Sequence, residues 1–212
     1  TYDAEGTVTA ENPRPVARDE VIAALEQFRG DILQVPPMYS AIKQGGKKLY
    51  DLAREGKEVE RPPRPVTITR LQLTRWEPPF ATLEIDCSPG TYIRSLAHDL
   101  GAALGVGAHL AALERTASGQ FTTANAVTWE TFAAAMESGT WQDYLLPADL
   151  ALSDAPAVQL DADQAAYVRN GGMIAAEDGE APIARAYDPD GAFIAVLDRR
   201  GAQWKPGKVF NL

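Results

Sequence analysis

The sequence contains a single cysteine, only two histidines and no long apolar run. One cysteine, Cys87, excludes an intramolecular disulfide and a multi-cysteine metal site. The two histidines, His98 and His109, are too few for a histidine-rich metal site, so we expect no bound metal. No apolar stretch reaches the roughly 20 residues that a membrane-spanning helix needs, and we expect no membrane partner. A chain this poor in cysteine fits a reducing compartment, which predicts a cytoplasmic location.

Several common catalytic signatures are missing from the 212 residues. There is no G-x-x-x-x-G-K-[ST] phosphate loop, no G-x-G-x-x-G dinucleotide motif and no H-E-x-x-H zinc motif. A G-x-S-x-G nucleophile elbow is absent as well. Carboxylates are plentiful, but Asp86, Asp99 and Glu114 are each interpreted as solvated or helix-surface residues rather than as acid–base catalysts.

Charge is distributed unevenly along the chain. The formal net charge is −9, which at first argues against nucleic acid as a partner. The segment from Lys43 to Arg75, however, holds nine basic and four acidic residues. A local basic surface on an acidic protein can hold a phosphate backbone, because salt limits long-range repulsion to about 8–10 Å. Charge alone leaves a second interpretation open, in which this segment is a solvated face of mixed charge.

A strand, a turn and a helix are predicted in succession around residue 90. Apolar residues alternate with polar ones from Ala81 to Cys87, the period of a strand with one buried face, so the cysteine is predicted to be packed. Pro89-Gly90 ends this strand. Apolar residues then recur at helical spacing over Tyr92–Leu104, with Thr91 as a plausible N-cap. Arg94 therefore lies in the first helical turn, either as a solvated cation or beside a fixed carboxylate or phosphate partner.

The remaining pattern predicts an α+β fold, with a mixed or antiparallel sheet flanked by helices and followed by a small β-rich domain. The elements predicted before residue 147 are a helix at Ala17–Arg29, a short helix at Leu49–Glu55, a bulged strand at Val66–Trp76 and a helix at Trp129–Met136. Proline and aspartate cluster at 147–156, which predicts a linker between residues 1–146 and residues 157–212. The tail has short apolar stretches between turns, the spacing of a β-rich domain.

Two long segments resemble one known family. Gln34–Gly56 reads QVPPMYSAIKQGGKKLYDLAREG, and Cys87–Arg94 reads CSPGTYIR, continuing to Leu113-x-Arg-Thr116. These closely resemble the thumb region and the C-S-x-G-T-Y-I-R and L-x-R motifs of the bacterial TruB family of tRNA pseudouridine synthases. The resemblance covers essentially the whole chain and is strongest from about Phe28 to Thr116. It implies that residues 34–64 form a thumb insertion and that the tail is a PUA-like RNA-binding module.

This resemblance implies the isomerisation of uridine 55 in the tRNA T-loop to pseudouridine, by base flipping and without cofactor or metal. The resemblance also implies that Arg94 pairs with a nucleophilic aspartate, that Tyr92 lines the uracil pocket and that Leu113 contacts the flipped base. The thumb would grip the T-arm, and a Gly45-Gly46 hinge would let it move. A monomer is expected. The residues expected to bind RNA are Tyr39, Lys43, Lys47, Lys48, Tyr50, Arg54 and Arg64.

The sequence departs from the family in one respect. The nucleophilic aspartate belongs to a G-x-L-D-P-x-A-x-G motif, and no aspartate here has a Leu-Asp-Pro context. Asp3-Ala-Glu-Gly6 corresponds to a D-x-x-G turn that lies after that motif. We therefore expect an N-terminal segment of about a hundred residues to supply the aspartate, and we expect the 212 residues alone to be inactive.

The same residues allow three other interpretations. A non-catalytic RNA-binding or tRNA-folding protein of the same ancestry remains open. A guide-RNA-dependent synthase subunit is disfavoured because the thumb at Gln34–Gly56 belongs to the stand-alone bacterial type. A protein–protein scaffold with an exposed proline-rich arm would leave the segment from Thr91 to Arg94 unexplained.

Overall fold

Three antiparallel strands form the sheet of the first of two units in the computed structural model, which describes residues 1–177 and 179–210. This unit comprises Thr1–Glu114, and the second begins at Arg115. The elements of the first unit are α1 (Arg18–Leu25), a 3₁₀ turn (Glu26–Phe28), β1 (Gly30–Gln34), β2 (Lys43–Gln44), β3 (Lys47–Lys48), α2 (Leu49–Arg54), β4 (Arg64–Glu77), β5 (Phe80–Cys87) and α3 (Ile93–Ala103). The strand order in the sheet is β1-β4-β5.

The apolar face of this sheet packs against α1 and α3. Val21 and Leu25 of α1 meet Ile68 and Leu71 of β4 and Leu96 of α3, and all five are at most 2% exposed. Burying each such side chain stabilises the fold by about 1.5–3 kcal/mol relative to leaving it exposed. The packing holds the start of α3 against the sheet, and this is what positions the candidate site.

The predicted bulge in β4 is confirmed. The register between β4 and β5 shifts between Ile68 and Arg70, and it shifts a second time between Leu73 and Arg75. The first shift explains why the apolar residues change phase along this strand. Both strands are antiparallel neighbours, as the alternating pattern predicts.

Two local predictions in this region are wrong. Cys87 is exposed rather than packed, because it is the last residue of β5 and β5 is an edge strand of the sheet. Thr91 is not the N-cap of α3: its hydroxyl donates to the carbonyl of Ser88 at 2.9 Å and so closes the turn. The N-cap position belongs to Tyr92, which makes no side-chain capping bond.

The second unit is built around a five-stranded sheet. The elements of this unit are β6 (Ala117–Ser118), β7 (Phe121–Thr122), α4 (Trp129–Ser138), β8 (Ala157–Gln159), α5 (Ala162–Arg169), β9 (Ile174–Ala175), β10 (Ile183–Tyr187), β11 (Phe193–Arg200) and β12 (Gln203–Val209), with 3₁₀ turns at Thr123–Asn125, Trp141–Tyr144 and Ala148–Leu152. The strand order in the sheet is β8-β10-β11-β12-β9, in which β8 is parallel to β10 and the other pairs are antiparallel.

The short strands and turns of the tail therefore agree with an α+β chain that ends in a β-rich region. Helix α5 was not predicted, although a capping box between Asp161 and Gln164 marks its start. Residues 147–156, predicted as a linker, lie within the second unit and include the 3₁₀ turn at Ala148–Leu152. None of the described helices has both the length and the apolar character needed to cross a bilayer.

Candidate active site

A buried glutamine fixes the turn that leads into α3. Gln34 ends β1 and is 2% exposed. Its side-chain amide donates to the carbonyl of Tyr92 at 3.1 Å, and its side-chain oxygen accepts from the Tyr92 N–H at 2.7 Å. Next to Gln34, the carbonyl of Val35 accepts from the hydroxyl of Ser95, three residues after Tyr92, at 2.8 Å. These three bonds clamp the first turn of α3 to the end of β1, so Tyr92 and Arg94 have a defined backbone position.

Arg94 has two partners in this unit. Its Nη1 lies 3.1 Å from Oδ2 of Asp3, and its Nη2 donates to the carbonyl of Tyr39 at 2.8 Å. The side chains of Arg94 and Asp3 are only 26% and 21% exposed. Of the two interpretations left open for this arginine, the partnered one is correct. The carboxylate that pairs with Arg94 in the structure is that of Asp3. Pairing of Arg94 with a nucleophilic aspartate of the Leu-Asp-Pro motif stays a prediction.

The segment that carries Asp3 is held in place by the chain after α3. Leu110 donates its N–H to the carbonyl of Tyr2 at 2.9 Å and accepts from the N–H of Ala4 at 3.0 Å. The loop before Leu110 lies close to α3 at Gly101, where an added Cβ would collide with the backbone nitrogen of Ala108. A glycine is therefore required at this position of α3.

The environment of Asp3 favours its ionised form. The Thr1 side chain and the guanidinium of Arg94 hold the pKa of Asp3 below its ordinary value, and partial burial works in the opposite direction. Oδ1 of Asp3 is buried and has no hydrogen-bond partner among residues 1–177 and 179–210. The pair is thus charged at neutral pH and has unused hydrogen-bonding capacity at one carboxylate oxygen.

The thumb is a small hairpin followed by a short helix. Strands β2 and β3 are joined by Gly45-Gly46, whose φ angles of +58° and +84° are those of a tight hairpin turn. At its base, the carbonyl of Ser40 accepts from the N–H of Tyr50 at 3.1 Å. Since Tyr39 binds Arg94 through its carbonyl, the thumb connects to the candidate site through the adjacent residues Tyr39 and Ser40.

Three of the predicted RNA-binding residues form one cluster. Lys48 Nζ donates to the Tyr50 hydroxyl at 3.0 Å and lies 5.2 Å from the ring centre, while Cζ of Arg54 lies 5.4 Å from the same ring. The bond to Tyr50 raises the pKa of Lys48. Lys47 instead forms an ion pair with Glu55 at 3.5 Å, so its charge is partly compensated.

The other predicted site residues lie outside the cluster formed by Lys48, Tyr50 and Arg54. Lys43 and Arg64 are exposed and line a cavity beneath the hairpin. Leu113 is 62% exposed in the segment after Leu110, and its contact with a flipped base stays a prediction. Within residues 1–177 and 179–210, no group of three or more His, Cys, Asp or Glu side chains is arranged to hold a metal ion.

Sequence reasoning did not assign a role to Asp3, Gln34 or Ser95. A signal existed for Gln34, which is a polar residue between Leu33 and Val35 at the end of a strand. Ser95 likewise interrupts the apolar face of α3. No local pattern could have paired Asp3 with Arg94, because that contact joins residues 91 positions apart.

Comparisons with known proteins identify the family of this chain. Residues 1–93 match the model of the TruB family pseudouridylate synthase N-terminal domain, residues 94–153 match the tRNA pseudouridylate synthase B C-terminal domain, and residues 156–211 match the tRNA pseudouridine synthase II C-terminal model. A tRNA pseudouridine synthase B of Dehalococcoides mccartyi is 41% identical over 213 residues, covering 99% of this chain and 71% of the relative. The chain belongs to the TruB family.

Other TruB relatives give the same result. The tRNA pseudouridine synthase B of Pseudomonas aeruginosa is 48% identical over 202 residues, which cover 92% of this chain. The matched part is 66% of that relative, so the chain spans just under two thirds of its length.

Solved structures extend the comparison to the fold. A chain in the crystal structure of a Cbf5-Nop10-Gar1 complex superposes with a TM-score of 0.71 at 23% identity, covering 92% of this chain and 63% of that one. A chain in the structure of an H/ACA RNP bound to a substrate RNA containing 2'-deoxyuridine gives a TM-score of 0.70 at 21% identity, covering 95% of this chain and 64% of that one. At these identities the likeness shows that the TruB chain shares their fold.

Proposed function

We propose that this chain is part of a tRNA pseudouridine synthase that converts uridine 55 of the T-loop to pseudouridine in the cytoplasm, acting as a monomer. The observation that carries the proposal is Arg94, held at the start of α3 between the carboxylate of Asp3 and the carbonyl of Tyr39. It lies two residues from Tyr92 within a TruB-family sequence. The relatives named above are called tRNA pseudouridine synthase B.

The reaction breaks the bond from N1 of uracil to C1′ of ribose and forms a bond from C5 to the same carbon. C5 loses its proton and N1 gains one, so the product is an isomer of the substrate. Family resemblance assigns the nucleophile to an aspartate in a Leu-Asp-Pro motif, which these 212 residues do not contain. A fixed guanidinium is suited to orienting and stabilising such a carboxylate through parallel N–H bonds. Tyr92 supplies a ring against which the flipped uracil can stack.

Substrate RNA would be held by charge and stacking on the thumb. Lys48 and Arg54 flank the ring of Tyr50, which places two cations and an aromatic face in one cluster. Phosphate contacts from such cations provide affinity, and aromatic faces stack with unpaired loop bases. This arrangement fits a folded T-arm whose loop presents both phosphates and unstacked bases.

Activity is tested with the full-length protein and a T-arm RNA labelled with tritium at C5 of uridine, because formation of the new glycosidic bond releases that tritium. We expect wild-type protein to release it and Arg94→Lys to be slower by about 100-fold, since an ammonium cannot form parallel bonds to a carboxylate. Arg70→Lys is the matched control. Arg70 also contacts carboxylates, Asp86 and Glu84, but on an exposed face of the sheet.

The same assay addresses the non-catalytic alternative. A full-length protein that binds the T-arm RNA and speeds tRNA folding, yet releases no tritium, would be an RNA-binding protein of the same ancestry. Wild-type turnover by Arg94→Lys would instead remove Arg94 from the mechanism.

A further inference from the structure

A small cavity beneath the thumb hairpin has an unusual lining. Its volume is about 90 Å³, and its walls include the apolar side chains of Pro36, Leu49 and Pro62. Three cations, Lys43, Arg61 and Arg64, also line it, and no carboxylate does. Cations beside apolar walls attract an anion more strongly than they would in open water, because the local dielectric is lower.

Arg61 is the least solvated of the three cations. Its side chain is 13% exposed, and its Nη1 donates to the carbonyl of Pro36 at 3.1 Å. Its Nε is buried and has no hydrogen-bond partner in the described part of the chain. The carboxylate of Glu58 lies 3.5 Å from Nη2 and is 83% exposed, so solvent screens this contact strongly.

A largely buried guanidinium with an unused N–H donor is costly unless a ligand completes its hydrogen bonds. The other two cations do not remove this cost, since they repel one another and Arg61. Among the residues that the structure describes, neither Lys43 nor Arg64 forms an ion pair. The cavity therefore has the positive charge and the size that a single phosphate group requires.

We propose that this cavity binds one backbone phosphate of the RNA, at a position separate from the Tyr92–Arg94 site. Arg61 supplies a largely buried guanidinium that its bond to Pro36 holds in place, and the exposed Lys43 and Arg64 supply further positive charge. The inference rests on the proposed function, because it takes the ligand to be the T-arm of tRNA. It adds Arg61, which sequence reasoning did not select, and a defined binding point at the base of the thumb.

The phosphate site is joined to the candidate active site through three consecutive residues. Arg61 binds the carbonyl of Pro36, Ser95 binds the carbonyl of Val35, and Gln34 binds both backbone polar groups of Tyr92. A phosphate bound by Arg61 therefore fixes the RNA relative to the start of α3. This geometry would hold the loop in register while the target uridine is flipped.

Salt dependence of binding tests the proposal. The probe is a 17-nucleotide T-arm hairpin RNA, titrated with the full-length protein in filter-binding assays between 50 and 200 mM KCl. We expect Arg61→Gln to weaken binding roughly tenfold, and to lower the slope of log Kd against log[KCl] by about 0.7–0.9, the value for one lost phosphate contact. Arg75→Gln is the control, because it removes the same charge from a 68% exposed side chain on β4 that pairs with Glu77.

Loss of the bond from Arg61 to Pro36 could unfold the thumb, so Arg64→Gln provides a second variant. Arg64 is exposed and its replacement removes no buried contact, yet it is expected to lower the slope in the same direction. Circular dichroism melts of each variant identify any loss of folding. A lower slope for Arg64→Gln in a chain that melts like wild type supports the site independently of Arg61.

Neutral methylphosphonate linkages, placed in turn along the hairpin RNA, identify the phosphate itself. We expect one linkage whose substitution weakens binding by wild-type protein but not by Arg61→Gln. Unchanged slopes for both variants, with normal wild-type binding, overturn the phosphate site and leave the proposed function standing. A wild-type chain that binds the hairpin no better than an unrelated RNA hairpin overturns both.

Discussion

Arg94 Nη1 lies 3.1 Å from Asp3 Oδ2, although the two residues are 91 positions apart in the chain. The contact connects the first turn of α3 with the segment that pairs with Leu110. It also means that the guanidinium is already oriented by one carboxylate before any second carboxylate binds. An arginine held in this way loses less conformational entropy when it meets a nucleophile than a free one would.

The pair should make stability depend on pH in the acid range. The folded pKa of Asp3 is lowered, chiefly by the Thr1 side chain and the guanidinium of Arg94. The pair therefore stabilises the fold fully above the unfolded pKa of about 3.9, and this contribution is lost as pH falls through the lower folded value. In urea unfolding from pH 3 to 7, we expect Asp3→Asn to be less stable than wild type by about 1 kcal/mol at pH 6.

This difference between wild type and Asp3→Asn should shrink below pH 4. Glu5→Gln provides the control, since Glu5 is an exposed carboxylate two residues away. A difference that stays constant down to pH 3 would show that the carboxylate of Asp3 contributes nothing through its charge.

Much of the local structure around the site could be predicted because it depends on short-range patterns. Alternation over Ala81–Cys87 and helical spacing after Gly90 define β5 and α3, and both occur nearly where expected. The phase change near Arg70 predicts the bulge that the register shows. The position of Arg94 in the first turn of its helix follows from the same patterns.

What could not be predicted depends on long-range contacts. The bond between Gln34 and Tyr92 spans 58 positions, and no sequence spacing indicates it. Cys87 follows the alternation of apolar and polar residues that predicts a buried side chain. It is nevertheless exposed, because it ends an edge strand, where too few neighbouring residues exist to cover it. Roles for Tyr92 and Leu113 came from family resemblance, and the structure alone gives neither residue a ligand.

Removal of the Gln34 side-chain amide should destabilise the first unit. Gln34→Leu keeps the size of the side chain but leaves the N–H and carbonyl of Tyr92 without their partner. We expect a loss of about 2 kcal/mol in the free energy of unfolding, measured by urea denaturation. Gln72→Leu, an exposed position on β4, should change it by less than about 0.5 kcal/mol. Equal effects of the two substitutions would refute a role for the Gln34 clamp.

The thiol of Cys87 should be reactive in the folded chain. Because the residue is exposed at the end of β5, we expect 5,5′-dithiobis(2-nitrobenzoic acid) to modify one thiol per chain under native conditions. Its rate should be within about tenfold of the rate in 6 M guanidinium chloride. A thiol that reacts only after unfolding would show that Cys87 is buried in the folded chain, as the alternation of apolar and polar residues predicts.

Lys48 should contribute more to RNA binding than Lys47, although the two are adjacent in sequence. Lys48 is held against Tyr50 with its charge available, whereas Lys47 is paired with Glu55. We expect Lys48→Ala to lower the slope of log Kd against log[KCl] for T-arm RNA by about 0.7–0.9 and Lys47→Ala to lower it by less. Glu55→Gln, which releases both Lys47 and Lys57 from their ion pairs, should steepen the slope in otherwise wild-type protein. If the double variant Lys47→Ala/Lys48→Ala keeps the wild-type slope, the thumb does not bind phosphate through these lysines.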